Sequence, residues 1–407
     1  MVEVIFKRKI SCCCVLLLWV ALPAFAAPSI EAIDASGGTS LVVKGVGFGE
    51  KLIAAPYRFD HFEVAEVGQS AAEASDGFWG TSVNSNVSAN VSRSPSSTNN
   101  SMAVQYPDPD PGGAVFEHVG EFDKLFVNFW VRIEWGEPDL DGSWQFKYFR
   151  LDSVDDSGGY EVYPSLAGFA WARYDGTINR TEWQHLSYDS DTCSGKSKRT
   201  VYQALPDIDQ APAWINVSVA IDQTDWQSFK SEIMQSQHGF AGAYYFNSNV
   251  TDMSHTCDSR PTVISKIKFG GSGESGANGA TFYFDDIYID TTWSRVEIGD
   301  SSVYGSCSHR EMLIPSSWSD SSITVAVNQG SFSDDSKVYL FVVDADGKVN
   351  ETGYPIIISK GAIAELEAKS TPELETKSIP ESDAQSTPEP EAESTPEPPI
   401  DLRVVPR

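Results

Sequence analysis

A chain of 407 residues with 29 Lys and Arg against 57 Asp and Glu carries a formal net charge of −28. At roughly 150 residues per domain this is two or three domains, long enough to bury real cores. The acidity excludes a general nucleic-acid binder, which needs a basic stripe to displace counterions from phosphates, and it disfavours acidic polymers unless one groove is locally basic.

Residues 1–26 open with Lys7, Arg8 and Lys9, continue as an apolar run from Cys12 to Ala21 and close on Ala24-Phe25-Ala26, a small-x-small cleavage site. This is the pattern of a secretory signal peptide. A membrane anchor is the rival, but the run is short for a bilayer crossing and no later segment approaches the ~18 apolar residues a span needs. The mature chain is therefore expected to be secreted, periplasmic or extracellular, with no transmembrane segment. Loss of three cations and Glu3 leaves it more acidic still. Cys193, Cys257 and Cys307 remain, in an oxidising compartment. Cys193 and Cys257 lie in polar, loop-like stretches and are the expected disulfide, with Cys307 left over; the alternative is three unpaired core cysteines.

Between residues 28 and 361 the signals are β. Alternating runs recur at 41–46, 125–135, 144–151, 214–221, 264–269, 281–290, 323–327 and 338–343, each bounded by turn residues. One short helix is expected around 226–237. The fold class is all-β: an antiparallel jelly-roll sandwich plus a small immunoglobulin-like sandwich. In 125–135 one face carries Leu125, Val127, Phe129, Val131, Ile133 and Trp135, a core face by period-two alternation. The other carries Phe126, Asn128, Trp130, Arg132 and Glu134, which suits either a wet concave surface that stacks sugars or an ordinary solvent face.

Residues 28–49, with Ile30 and Ile33, the Gly37-Gly38 turn, Leu41-Val42-Val43 and the ending Gly45-x-Gly47-Phe48-Gly49, resemble the first two strands of an IPT/TIG immunoglobulin-like domain. The expected continuation is found only after residue 294, as Val296-Glu297-Ile298-Gly299 and Met312-Leu313-Ile314-Pro315. The resemblance implies a discontinuous domain, 27–55 plus 294–361, interrupted by 56–293. Nothing in it suggests a nucleophile or a metal site.

The interrupting segment begins with Phe59-Asp60-His61-Phe62-Glu63 and ends with Phe282-Tyr283-Phe284-Asp285-Asp286-Ile287-Tyr288-Ile289-Asp290. An acidic first strand and an aromatic-x-Asp-Asp-Ile closing strand resemble secreted, bacterial concanavalin A-like lectin/glucanase jelly rolls. That resemblance implies carbohydrate as partner. The catalytic signatures of enzymes on this fold are not found. No Glu-x-Asp-x-(x)-Glu strand is present to set two carboxylates about a glycosidic bond. Neither is a Gln-(Ile/Val)-His or Tyr-x-Lys strand, since Gln184 directly precedes His185 and Lys147 precedes Tyr148. The six histidines show no ligand spacing.

Sugar binding requires flat aromatic faces and a few fixed polar groups. The candidates are Trp130 and Arg132, Lys147 and Arg150, and Trp171, Arg173 and Tyr174, taken to lie on three neighbouring strands. Arg and Lys also suit a carboxylated sugar. Strict alternation keeps Lys147 and Arg150 on opposite faces, and any one of the tryptophans can equally be core. The jelly-roll resemblance further implies a structural Ca²⁺ joining the first and last strands, with Asp60 or Glu63 and Asp285 or Asp286 as ligands. Alternation permits only one of Asp285 and Asp286 to point inward, and Asp285, sharing parity with Ile287 and Ile289, is the preferred ligand; a strand-end cap is its alternative role.

From Ser370 four octads follow, each with Pro at its third position and Glu at its fourth. Residues 362–407 are expected to be an extended, disordered tail, either a spacer or a solvated end. The functional expectation is a secreted carbohydrate-binding sandwich protein. The alternatives are a divergent polysaccharide lyase or hydrolase, and a structural or adhesive surface protein.

Overall fold

The computed structural model describes residues 26–35, 40–89, 93, 100–106, 114–134, 144–152, 167–174, 178–186, 199–204, 214–222, 229–235, 243–247, 264–271, 280–359 and 362–365. The leader over 1–25, Cys193, Cys257 and the octads beyond 365 lie outside them. Among the described residues, no helix is long and apolar enough to cross a membrane. The strands are β1 (Ser29–Asp34), β2 (Ser40–Val46), β3 (Arg58–Asp60), β4 (Thr81–Val83), β5 (Ser85–Ser88), β6 (Ser101–Gln105), β7 (Ala114–Phe122) and β8 (Lys124–Glu134). They continue as β9 (Trp144–Asp152), β10 (Ala167–Tyr174), β11 (Ile178–Leu186), β12 (Arg199–Ala204), β13 (Ile215–Asp222), β14 (Phe229–Gln235), β15 (Ala243–Asn247) and β16 (Ile264–Gly271). The last are β17 (Thr281–Asp290), β18 (Arg295–Gly299), β19 (Arg310–Ser319), β20 (Ser322–Ala326), β21 (Ser336–Val343), β22 (Tyr354–Ser359) and β23 (Ala362–Glu365).

The architecture is all-β and antiparallel. One sheet runs β1-β2-β20-β19-β18-β21-β22-β23. β19 turns its corner: Arg310 to Leu313 pair with β18, Ile314 onward pair with β20, and a bulge separates Pro315 from Ser317. The two halves fold over a common core that includes Leu41 and Val43 from β2, Val296 and Ile298 from β18 and Leu340 from β21. The chain thus leaves this sandwich after β2 and returns to it at β18.

Between those points lies a jelly-roll sandwich. Its sheets run β12-β11-β10-β9-β16-β7-β4 and β15-β14-β13-β8-β17-β6-β5, with β3 paired to β17. Registers explain its core. Across the seven-stranded sheet Ser82, Phe116, Phe269, Phe149, Phe169, Trp183 and Tyr202 occupy one row. Phe116, Phe269 and Phe149 of that row are fully buried against Phe129 and Phe284 of the facing sheet. Within the expected helix at 226–237, the described residues Phe229–Gln235 are instead β14, paired on both sides with β13 and β15, so sheet pairing overrides local periodicity there. The described helical turns are Ala71–Ala74, started by a capping box between Ser70 and Glu73, and the 3-10 turn Tyr304–Ser306.

Candidate functional site

The seven-stranded sheet carries a second row beside the aromatic one: Thr81, Glu117, Lys268, Arg150, Gly168, Gln184 and Val201, in order across all seven strands. One residue along each strand reverses the face, so Glu117, Lys268 and Arg150 of this row lie opposite the buried Phe116, Phe269 and Phe149. Lys268 Nζ stands 3.6 Å from Glu117 Oε2. Arg150, half-buried, pairs across the strands with Lys268 on one side and Gly168 on the other, and its buried Nε has no hydrogen-bond partner among the described residues.

The sequence placed Lys147 and Arg150 on opposite faces. The register corrects this, because Lys147 pairs with Ala170 and Arg150 with Gly168, positions of the same parity on β10. The shift falls between Phe169 and Ala170 and leaves Tyr148 as the extra residue, a β-bulge. Trp171 and Arg173 stand in register with Phe146 and Trp144, the parity of Phe169. Tyr174 ends β10 opposite Ile178.

Trp130 and Arg132 are not neighbours of these residues. β8 belongs to the other sheet, between β13 and β17. Trp130 is buried, so it is no open sugar platform. The outer face of β8 is covered by the first sandwich: Met312 of β19 clusters with Phe126, Tyr288 and Trp293, and Lys124 Nζ donates to the Ala345 carbonyl at 2.7 Å. Arg132 pairs with Glu134 at 2.8 Å. The Tyr283 hydroxyl also donates to Glu134, and burial followed by that carboxylate pushes its pKa up to about 12.

Among the described residues, the positions expected to hold calcium have the following partners. Asp60 accepts from the Trp79 indole N–H at 2.9 Å and pairs with Arg58. Glu63 accepts a long bond from the Asn100 amide, 3.5 Å. Asp285 and Asp286 both meet the Arg93 guanidinium, which also donates to Glu311 of β19 at 2.6 Å. Alternation had allowed only one of the two aspartates inward and had set Asp285 with Ile287. A register shift between Asp285 and Tyr288, with Asp286 at φ +44°, corrects that too. Phe284 and Ile287 both enter the jelly-roll core, while Asp285, opposite Trp130, faces the other sandwich. Among the described residues no group of three or more His, Cys, Asp or Glu is arranged to hold a metal ion.

No family model and no curated protein matches this sequence. Solved structures with similar sandwiches include the alginate lyase Aly36B, at 12% identity over 58% of this chain and 97% of that one, TM-score 0.34. Alginate lyase A1-II', a member of polysaccharide lyase family 7, matches at 10% identity over 54% and 88%, TM-score 0.34. The CBM2 module of the evolved Dit protein of Lactobacillus casei BL23 phage J-1 matches at 10% identity over 59% and 96%, TM-score 0.29.

The electrostatics of the junction are uneven. Burial pushes the Asp285 carboxyl up to about 7 against the pull of Arg93, with Glu63 and Glu311 adding to the rise. Burial acts on Glu311 in the same sense, but Arg93, His309 and the Ser331 amide hold it down at about 2. An acid whose folded value is raised contributes stability that is complete below its unfolded value, about 4, and is lost progressively as pH rises towards 7. Relative to wild type, Asp285→Asn is therefore expected to gain about 2–4 kcal/mol between pH 4 and pH 7. Parallel urea titrations across that range check this, and a constant difference would count against it. Sequence reasoning missed Arg93, Glu311 and His309: Arg93 sits in a polar Asn/Ser-rich stretch, and Glu311 belongs to the other sandwich, so no local pattern links them.

Proposed function

We propose that this is an exported carbohydrate-binding protein that holds a glycan along the polar row of the seven-stranded sheet. One observation carries the reading: the register that puts Glu117, Lys268 and Arg150 side by side, next to Gly168, on the face opposite the aromatic core row. Glycine inside a strand removes the side chain and lets a ligand approach the backbone. Ala170 and Ala172 continue the small residues at alternate positions of β10. Lys268 is buried and paired with Glu117, so the half-buried Arg150 beside Gly168 is the cation of this row that, on an acidic protein, favours a sugar bearing a carboxylate.

The test is a glycan panel read by calorimetry. Arg150→Ala is expected to weaken binding of an acidic polysaccharide by 10-fold or more, on the order of the 1.5–3 kcal/mol of a charge-assisted bond. Wild-type affinity for no glycan on the panel, or an Arg150→Ala protein that binds as wild type does, would remove this reading. Accumulation of unsaturated sugar ends during the titration would put the lyase alternative in its place.

A further inference from the structure

The jelly-roll resemblance calls for a cation at the Asp285-Asp286 end of the last strand, and the structure places a guanidinium there, between that strand and the other sandwich. Arg93 comes from the connection between β5 and β6 and is only 4% exposed. Its guanidinium carbon lies 4.7 Å from the centre of the Trp130 ring. Its three nitrogens go to three carboxylates: Nε to Asp285 at 3.3 Å, Nη1 to Glu311 at 2.6 Å and Nη2 to Asp286. A planar fork with several N–H groups matches this spread of acceptors.

The rest of the shell decides between a guanidinium and a metal ion. Calcium takes six to eight oxygen ligands. Here the hydrogen-bond partners of Glu311 and Asp286 among the described residues are donors, while Glu63 stands near enough to Asp285 to raise its carboxyl. The Trp130 indole N–H donates to Glu311 at 3.1 Å. The Ser331 amide and hydroxyl donate to Glu311 at 2.9 and 3.1 Å, and His309 Nε2 lies 2.8 Å from the same oxygen. Asn328 donates its amide N–H to Asp286 at 3.2 Å, and its orientation is fixed because its carbonyl oxygen accepts from the Gly330 N–H. Glu311 and Asp286 thus accept from N–H and O–H groups, and among the described residues no set of three or more acidic, His or Cys ligands is arranged to hold a divalent ion here.

We propose that Arg93 is the resident cation of this junction, tethering β17 of the jelly roll to β19 of the other sandwich and making the junction independent of calcium. It acts as a side-chain substitute for the ion, supplied by the chain itself.

The test is thermal melting of the full chain in excess chelator and then in added Ca²⁺, for wild type, Asp285→Asn, Arg93→Ala and Glu311→Gln. The wild-type midpoint is expected to stay within about 1 °C in both media, and Arg93→Ala to lower it by about 10 °C, as removal of one partner from a buried ion pair does. If Arg93→Ala does not fold, Glu311→Gln is expected to lower the midpoint while remaining indifferent to chelator. A chelator response in wild type that Asp285→Asn abolishes would overturn the proposal. So would an Arg93→Ala or Glu311→Gln protein that melts as wild type does. A chelator response shared by wild type and Asp285→Asn comes from another site and leaves the Arg93→Ala shift, or that of Glu311→Gln, to decide.

Discussion

Phe269→Ala is expected to cost the jelly roll about 3–5 kcal/mol, the range for truncating a fully buried aromatic side chain. Phe269 is fully buried and links the two sheets. It stacks on Phe116 at 5.0 Å and meets Phe149 at 5.2 Å within its own sheet. It meets Phe129 at 5.0 Å and Phe284 at 5.1 Å across the core, with Trp79 at 5.5 Å. Truncation therefore removes contacts on both sides of the core at once, and the surrounding rings, fixed by strand register, collapse little into the space. Phe269→Leu keeps most of the volume and should cost markedly less. Equilibrium unfolding in denaturant measures both, and a loss below about 1 kcal/mol for the alanine variant would show that the core relaxes freely.

A comparable loss, about 3–5 kcal/mol, is expected for Glu297→Gln in the other sandwich. Glu297 is buried in β18. It accepts from Arg295 Nε, from Arg310 Nε at 3.2 Å and from the Tyr304 hydroxyl at 3.0 Å. Burial works to raise its carboxyl, yet Arg310 and then Arg295 leave it below the ordinary carboxylate range. Neutralising it removes the carboxylate charge that both buried guanidinium groups meet. An acid held low in the folded state stabilises above its unfolded value, about 4, and that contribution is lost as pH falls through the folded one. The gap between wild type and Glu297→Gln should accordingly narrow below pH about 4 and stay constant above it. A gap that persists unchanged into acid would mean that the loss is one of packing, not of charge.

The strands at 41–46, 125–135 and 281–290 were legible because alternation and turn residues mark them directly. Faces were less so. Tyr148, and the Asp285-Asp286 pair, each sit at a bulge, and an extra residue reverses the parity of everything beyond it. No local chemistry announces that: Lys147 to Arg150 and Phe284 to Ile287 look like ordinary alternation broken by chance. The mixed face of Trp130 and Arg132 had two readings in sequence, stacking surface or solvent face. At Phe126 and Trp130 it is neither, because β19 of the second sandwich covers them, and that is a fact about residues nearly two hundred positions away, while Arg132 and Glu134 stay part-exposed. Phe229–Gln235 failed for a related reason, since its partners β13 and β15 decide its conformation.

The departure of the chain from the first sandwich after β2 and its return at β18 set an order of assembly. β2 finds its partner β20 only when residues 322–326 have been synthesised, with the whole jelly roll made in between. Until then the edge of β2 is unpaired, a template for association with other chains. The jelly roll itself shortens the wait in space: β3 pairs with Ile287 to Ile289 of β17, so its entry and exit lie on adjacent strands. Once folded, it replaces a connection of more than two hundred flexible residues with a compact body whose ends already meet, and most of the loop-closure entropy of the outer sandwich is removed beforehand. The interrupting segment, once folded, therefore lowers the entropic cost of closing the sandwich it interrupts.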